Sequence, residues 1–339
     1  MNNVPALSIV IPIYNGADSI VRLVDEVSKL DIPDGMEFVL VVDGSPDNSF
    51  EVAVEIARTH KTPVTVINHS RNFGEHNAVL TGLRASKGQH VITMDDDLQN
   101  PPSEVKRLYE YAATSGKDVV YTFYAKKQHS LWRNLGSKFA NFCADIMLDK
   151  PRGLYLSSFR CMSRFIVDEV CKYHGPYPYI DGLIFQNTNK LDSIEVDHLP
   201  RASGRSNYTL KKLLSLWFII AFNFSIKPLR LCTLIGIFTC LLGAAGVVSV
   251  LIEYFVVGIL VPGWSQLIIT ILLFSGVQLL MLGLVGEYLG RLYMTVSGQP
   301  QSAIREVVRP HDGSDAGPIG SAPKAKANRA KQQDRVDPS

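Results

Sequence analysis

Apolar runs rich in β-branched residues recur through the first third of the chain, at Leu7–Ile11, Phe38–Val42, Val64–Ile67 and Val91–Met94. Between them the apolar positions return every three or four residues, at Ser19–Lys29, Ser49–Thr59, His76–Ser86 and Ser103–Ser115. The first spacing predicts strands and the second predicts helices. Strands that are apolar almost throughout leave no face for water, which predicts a parallel sheet covered on both sides in a three-layer α/β domain. Ligands of such sheets bind beyond the carboxyl ends of the strands. Polar residues stand at those ends: Pro12, Tyr14 and Asn15 after the first strand, Asp43 after the second, His69–Gly74 after the third and Asp95–Asp97 after the fourth. From Val119 to about Arg201 the pattern is less regular, with a basic cluster at Lys126, Lys127, Arg133 and Lys138 and an aromatic run from Tyr173 to Asp181.

The pattern then changes again. From Leu231 to Gly286 the one charged residue is Glu253, and Pro262-Gly263 divides the stretch. Two membrane spans are predicted, roughly Leu229–Ile252 and Gln266–Tyr288, each above the ~20 residues a bilayer core requires. The loop between them has no Lys or Arg, whereas Arg201, Arg205, Lys211, Lys212, Lys227, Arg230, Arg291, Arg305 and Arg309 flank the pair. The positive-inside rule therefore puts both termini and the α/β domain in the cytosol, with the protein in the cell (inner) membrane. Leu213–Ile226 is uncharged but only 14 residues long, and with Leu210, Leu213, Trp217, Ala221 and Phe224 at helical spacing it is expected to lie in the interface. Expected units are 1–208 for the catalytic domain, 209–228 for the interfacial helix, 229–290 for the hairpin, 291–309 for a juxtamembrane segment and 310–339 for a disordered tail.

Composition adds little. A formal net charge of +2 over 339 residues gives no reason to expect a nucleic-acid partner. Five cysteines without a C-x-x-C pair favour reduced thiols facing the cytosol, and the N-terminus enters a strand with no basic-then-apolar leader.

The candidate chemistry lies in Asp95-Asp96-Asp97. If the strand alternation continues, Asp95 and Asp97 face one way and Asp96 the other. Two carboxylates on one side repel unless a cation joins them, and Mg²⁺ or Mn²⁺ takes such oxygen ligands together with a substrate diphosphate. The competing reading is a solvated acidic turn, with Asn100 as N-cap and Pro101 as the first residue of the next helix. Spacing alone leaves both open. A cytosolic site of this kind, beside a basic collar that attracts an anionic lipid headgroup, suits transfer of a sugar from a nucleotide to a lipid phosphate.

With these segments in view, the chain resembles the polyprenyl-phosphate glycosyltransferases of glycosyltransferase family 2. The resemblance runs from about Leu7 to Arg309. It rests on Ser8–Asn15, Asp43–Ser49, Arg71–His76, Asp95–Pro102, Phe159–Arg164, Gly204–Tyr208 and Gly286–Arg291, in this order and spacing. It implies a GT-A-type doubly wound sheet, a nucleotide-sugar donor, a polyprenyl-phosphate acceptor, a divalent cation and a homo-oligomer. By position it implies that Pro12, Tyr14, Asn15 and Asp43 hold the nucleotide, and that Asp95, Asp97 and Gln99 bind the cation. Asp96 would face the nucleotide, Arg133 and Ser137 the lipid phosphate, and Arg160, Arg201 and Arg205 the diphosphate and acceptor. Asp181 is a candidate base.

Three positions depart from the pattern: Gly16 where relatives usually have Glu, Val42 in place of an acid, and Tyr124 near a usual arginine. Uridine is the expected base, and undecaprenyl phosphate the expected lipid. Rival readings are a non-catalytic membrane-anchored nucleotide-binding protein, a transferase acting on another lipid, and a processive polysaccharide synthase. The last would carry a Gln-x-x-Arg-Trp motif, which this sequence lacks.

Overall fold

The computed structural model describes residues 4–124, 154–197, 227–256 and 263–310. The four predicted strands form as β1 (Leu7–Ile13), β2 (Met36–Val42), β3 (Val64–His69) and β4 (His90–Thr93). The helices between and after them are α1 (Ala17–Val27), α2 (Ser49–Thr59), α3 (Glu75–Ala85) and α4 (Pro102–Ser115). Strands β1 and β2 are buried almost end to end and pair in parallel from Leu7↔Met36 to Ile13↔Val42. Further along come β5 (Val119–Phe123), β6 (Arg160–Ser163), α5 (Arg164–Cys171), α6 (Ile180–Asn187) and β7 (Leu191–Glu195).

The sheet has eight strands in the order β7-β5-β6-β4-β1-β2-β3, closed at the far edge by β8 (Ile304–Val308). It is mixed, which corrects the expectation of an all-parallel sheet. β6 runs antiparallel between β4 and β5, and β8 runs antiparallel beside β3. Four or five residues are too few to give β6 and β8 a periodic signal, and β8 is supplied from beyond the apolar helices. One face packs Ile9, Ile11 and Leu40 against Ile20, Leu23, Val105 and Leu108; the other packs Val10, Val39 and Val41 against Leu80, Leu83, Ile166 and Ile184.

Strand order matters for the site. From β1 the chain moves outward through β2 and β3, then returns to lay β4 on the other side of β1. β1 and β4 are thus parallel neighbours, and the loops that follow them stand side by side at the carboxyl edge and border a crevice there, the usual ligand position in such sheets.

Two long helices follow: α7 (Lys227–Val256, 30 residues) and α8 (Trp264–Val296, 33 residues). Leu234, Phe238, Leu241, Leu279, Leu282 and Leu289 stand exposed on them. Among the described residues one stretch, Phe274–Val296, is long and apolar enough to cross a membrane; the apolar part of α7, Cys232–Gly246, is shorter. Helix α8 stops where Gly298 takes a positive φ of 68°, and the chain turns back to form β8. The predicted juxtamembrane segment, 291–309, is thus divided between the end of α8 and a strand of the sheet. The interfacial stretch 213–226 and the tail from 311 lie outside the described residues.

Candidate active site

Two loops form one side of the crevice. After β1 the backbone bends sharply, with Asn15 at φ 57°, a conformation asparagine tolerates better than most residues. The Asn15 amide donates to Ser45 Oγ at 2.8 Å, and the Gly16 amide donates to Ser49 Oγ at 3.1 Å. Both hydroxyls donate to Asp47 Oδ1, so the loops after β1 and β2 are tied through one carboxylate. Gly44, at φ 60°, leaves room for the next loop: a Cβ there would stand 2.2 Å from the carbonyl carbon of Arg71. Pro12 is half-buried at the base of this wall, and Tyr14 is 47% exposed at its rim.

Asp43, expected to hold the nucleotide, lies at the end of β2 beneath the next loop. It is 4% exposed, and its carboxylate accepts from the amides of Phe73 (2.9 Å) and Gly74 (2.7 Å) and from His69 Nδ1 (2.8 Å). A buried carboxylate engaged by three donors of its own chain shapes the loop over the site. His69 in turn meets Thr81 Oγ1 through Nε2 at 3.0 Å, and its ring stands edge-on to Phe73.

The acids form the opposite side. Strand β4 ends at Thr93, so strand alternation does not reach Asp97, and the carboxylates are placed by individual bonds instead. Thr93 Oγ1 donates to the Ser158 carbonyl at 2.6 Å, and Ser158 Oγ donates to Asp95 Oδ2 at 2.8 Å. Asp97 Oδ1 accepts from the Gln99 amide at 3.2 Å, and Leu98 between them takes φ 60°, rare for a branched side chain. Asp96 reaches across to the first loop, its Oδ2 against Gly16. The next helix begins at Pro102 with Pro101 as N-cap, one residue later than predicted; Asn100 is freed from capping and accepts from the Tyr124 hydroxyl at 3.0 Å. Burial, reinforced by the charges of Asp95 and Asp97 and opposed by a bond to Ser157, pushes the Tyr124 hydroxyl up to about 12. It stays protonated beside the acids.

A third group lies under the crevice. Arg160, opposite Thr93 in the β4–β6 pair, is 3% exposed and its guanidinium pairs with Asp181 on α6. The Tyr121 hydroxyl donates to the same Asp181 oxygen at 2.9 Å, and the guanidinium lies 5.8 Å from the Tyr121 ring centre. Arg160 was expected near a diphosphate and Asp181 as a base; their burial and mutual pairing make each the other's counter-charge. Beside them the His76 ring stands 5.0 Å from that of Tyr179. The protein packed around His76 lowers its imidazole to about 4, while Asp181 pulls upward and Arg160 downward.

Arg133, Ser137, Arg201 and Arg205 lie outside the described residues. Of the rest, the structure brings Asn15, Asp95, Asp96, Asp97 and Gln99 to one crevice and sets Asp43, Arg160 and Asp181 behind it. Sequence reasoning missed Ser158 and Tyr121; the alternation of β5 and the Ser-Ser pair before Arg160 are the only local signals. Among the described residues no three His, Cys, Asp or Glu side chains converge as a metal cage. Two carboxylates, at Asp95 and Asp97, with further oxygens left to come from substrate, are nonetheless the donor set a Mg²⁺ site uses.

Comparison with known proteins adds the family. Residues 8–171 match the family described as glycosyl transferase family 2, and residues 227–292 match the GtrB C-terminal hairpin. An undecaprenyl-phosphate 4-deoxy-4-formamido-L-arabinose transferase of Yersinia pestis is 34% identical over 310 residues, covering 89% of this chain and 93% of that protein. Its namesake from Pseudomonas aeruginosa is 36% identical over 311 residues, covering 89% and 90%. Among solved structures, glucosyl-3-phosphoglycerate synthase from Mycobacterium tuberculosis, in complex with Mn²⁺, UDP and phosphoglyceric acid, aligns at a TM-score of 0.47 and 18% identity, covering 63% of this chain and 75% of that one. Near-full-length identity to named transferases, with both the sheet domain and the hairpin matched, makes this protein a glycosyltransferase with a GT-A-like sheet. The chain belongs to the polyprenyl-phosphate glycosyltransferases of glycosyltransferase family 2.

Proposed function

We propose that this enzyme moves a sugar, with inversion, from a UDP-sugar to undecaprenyl phosphate at the cytosolic leaflet of the membrane. The observation that carries this reading is the crevice between the ends of β1 and β4, where the run Asp95–Asp97 meets the loop of Asn15 and Gly16 through Asp96. The nucleotide lies along the β1 and β2 ends, against Pro12, Tyr14 and Asn15, under the loop that Asp43 holds. Asp95 and Asp97, with Gln99, would hold a divalent cation, Mg²⁺ or Mn²⁺; bound there, it would neutralise charge on the departing diphosphate.

A lipid monophosphate has a second pKa of about 6 and is largely dianionic at neutral pH. One of its oxygens bonds to the anomeric carbon from the face opposite the nucleotide, the bond to the diphosphate oxygen breaks, and the nucleoside diphosphate leaves. The nucleophile needs positioning rather than deprotonation, which agrees with an Asp181 already paired to Arg160. Arg133 and Ser137 are assigned to the acceptor phosphate, and Arg201 and Arg205 to the charge shared by the two substrates.

We place both α7 and α8 in the bilayer, with the termini and the α/β domain on the cytosolic side. At 1.5 Å per residue each exceeds the ~30 Å hydrocarbon core in length. Helix α8 meets the soluble domain near the site, where the Tyr177 hydroxyl donates to Met294 Sδ at 3.2 Å, four residues before Asp181. The relatives' names specify 4-deoxy-4-formamido-L-arabinose as their sugar. A panel of UDP- and GDP-sugars, that one included, assayed against undecaprenyl phosphate tests donor and acceptor together. A labelled, acid-labile lipid product with one UDP-sugar is expected; no lipid product with any donor would overturn the reading.

A further inference from the structure

The chain beyond the last long helix returns to the sheet and grips both flanks of the loop Ser70–Gly74. Ala303 O accepts from the Ser70 amide at 2.8 Å, and β8 then pairs along β3. Just before that strand stand two polar side chains turned inward. Gln301 is only 7% exposed, and Ser302 is half-buried.

Each begins a line of hydrogen bonds that ends at Phe73. Gln301 Nε2 donates to the carbonyl and to the side-chain oxygen of Asn77, both at 3.0 Å, while its own Oε1 accepts from Arg84 Nη1 at 2.5 Å. Asn77 Nδ2 donates to the Phe73 carbonyl at 2.7 Å. Along the second line, Ser302 Oγ lies 3.1 Å from Thr81 Oγ1, which lies 3.0 Å from His69 Nε2. His69 Nδ1 meets Asp43 Oδ1, and Asp43 accepts from the amides of Phe73 and Gly74. An ionised Asp43 only accepts, so Nδ1 carries a proton. The Thr81 hydroxyl also donates to the Asn77 carbonyl at 2.9 Å, which joins the two lines.

The loop held in this way is the one that passes over Gly44 at van der Waals limits and lies across the β2 end. We propose, on the donor site assigned above, that Gln301 and Ser302 are positioning residues for the nucleotide-sugar. They touch no substrate; through Asn77 and through Thr81, His69 and Asp43 they fix the 70–74 loop against which the nucleotide lies. The segment that follows the hairpin thereby completes the donor site, while the acceptor site is left to other parts of the chain.

The test uses the full chain in detergent micelles with Mn²⁺, and UDP and GDP as calorimetric probes. Ser302→Ala is expected to weaken nucleotide binding about three- to tenfold, the effect of losing one buried hydrogen bond, and Gln301→Ala, which loses three, at least as much. Ser302→Thr, which keeps the hydroxyl, should stay within about twofold of wild type, as should Glu306→Ala on exposed β8. The KM for undecaprenyl phosphate should not move. If Ser302→Ala aggregates, Gln301→Ala carries the same test through Asn77. Unchanged nucleotide binding in either folded variant, or an equal loss for donor and acceptor, overturns the proposal. A wild type that binds neither nucleotide overturns the site assignment itself.

Discussion

Asp96 lies against Gly16 so closely that a Cβ at position 16 would stand 1.9 Å from Asp96 Oδ2. The contact spans the crevice, joining the start of α1 to the acids after β4. Gly16 has a φ of −112°, open to any residue, so the requirement for glycine is one of space rather than backbone. Any larger side chain here, glutamate included, would need Asp96 to move.

Gly16→Ala should therefore displace the middle acid and lower kcat/KM at least about tenfold, with little change in Tm. Adding Asp96→Gly should recover part of the loss, giving a coupling well above the ~0.5 kcal/mol expected of independent sites. Steady-state kinetics on the four proteins of the cycle decide it: additive effects would mean that the contact does not matter to turnover.

Asp97→Ala, or removal of divalent ions with EDTA, should cut transfer to less than a tenth of the wild-type rate, a barrier change above ~1.4 kcal/mol. Metal-dependent binding of UDP, followed by calorimetry, should disappear in parallel. A variant that keeps most of its rate would remove Asp97 from the cation site.

Asp181→Ala leaves the Arg160 guanidinium buried without its counter-charge. A loss of stability of about 3–5 kcal/mol is expected in urea unfolding. Asp181→Asn, which can still accept from Tyr121, should lose less. If Asp181→Asn unfolds like wild type yet turns over a hundredfold more slowly, the carboxylate acts in the reaction as a base after all.

His76 gives the pH dependence. Its pKa lies near 4 in the folded chain against 6.5 for a free imidazole, so between these values the unfolded state binds the extra proton. The contribution of neutral His76 is complete above about 6.5 and disappears as pH falls toward 4. His76→Gln should flatten that part of the stability curve, measured by urea midpoints at steps of pH from 4 to 7.

Much of the sheet could be read from the chain because β1 to β4 are apolar along their lengths and separated by amphipathic helices. The acids could be found because three carboxylates at a strand end are chemically conspicuous. Their geometry could not: it depends on Ser158, 63 positions away from Asp95, and on a left-handed Leu98 that no periodicity announces. Asp43, Arg160 and Asp181 look like ligands in sequence because burial is invisible there. Only folding shows that their charges face one another or their own backbone. The C-terminal strand was hidden for another reason. Ile304–Val308 is five residues long and stands after two helices of membrane length, where the eye expects a tail. Gly298 and Pro300 are the signal that a turn precedes it.

That strand has a consequence for the order of events at the ribosome. The edge it covers belongs to residues 64–69, so the nascent sheet stays bare along one side until some 235 further positions have been translated, both long helices among them. Pairings so distant in sequence form late, and an uncovered edge invites intermolecular pairing in the meantime. Assembly of the sheet domain is therefore timed by delivery of the helices, and a chain arrested before its final turn carries an unfinished catalyst.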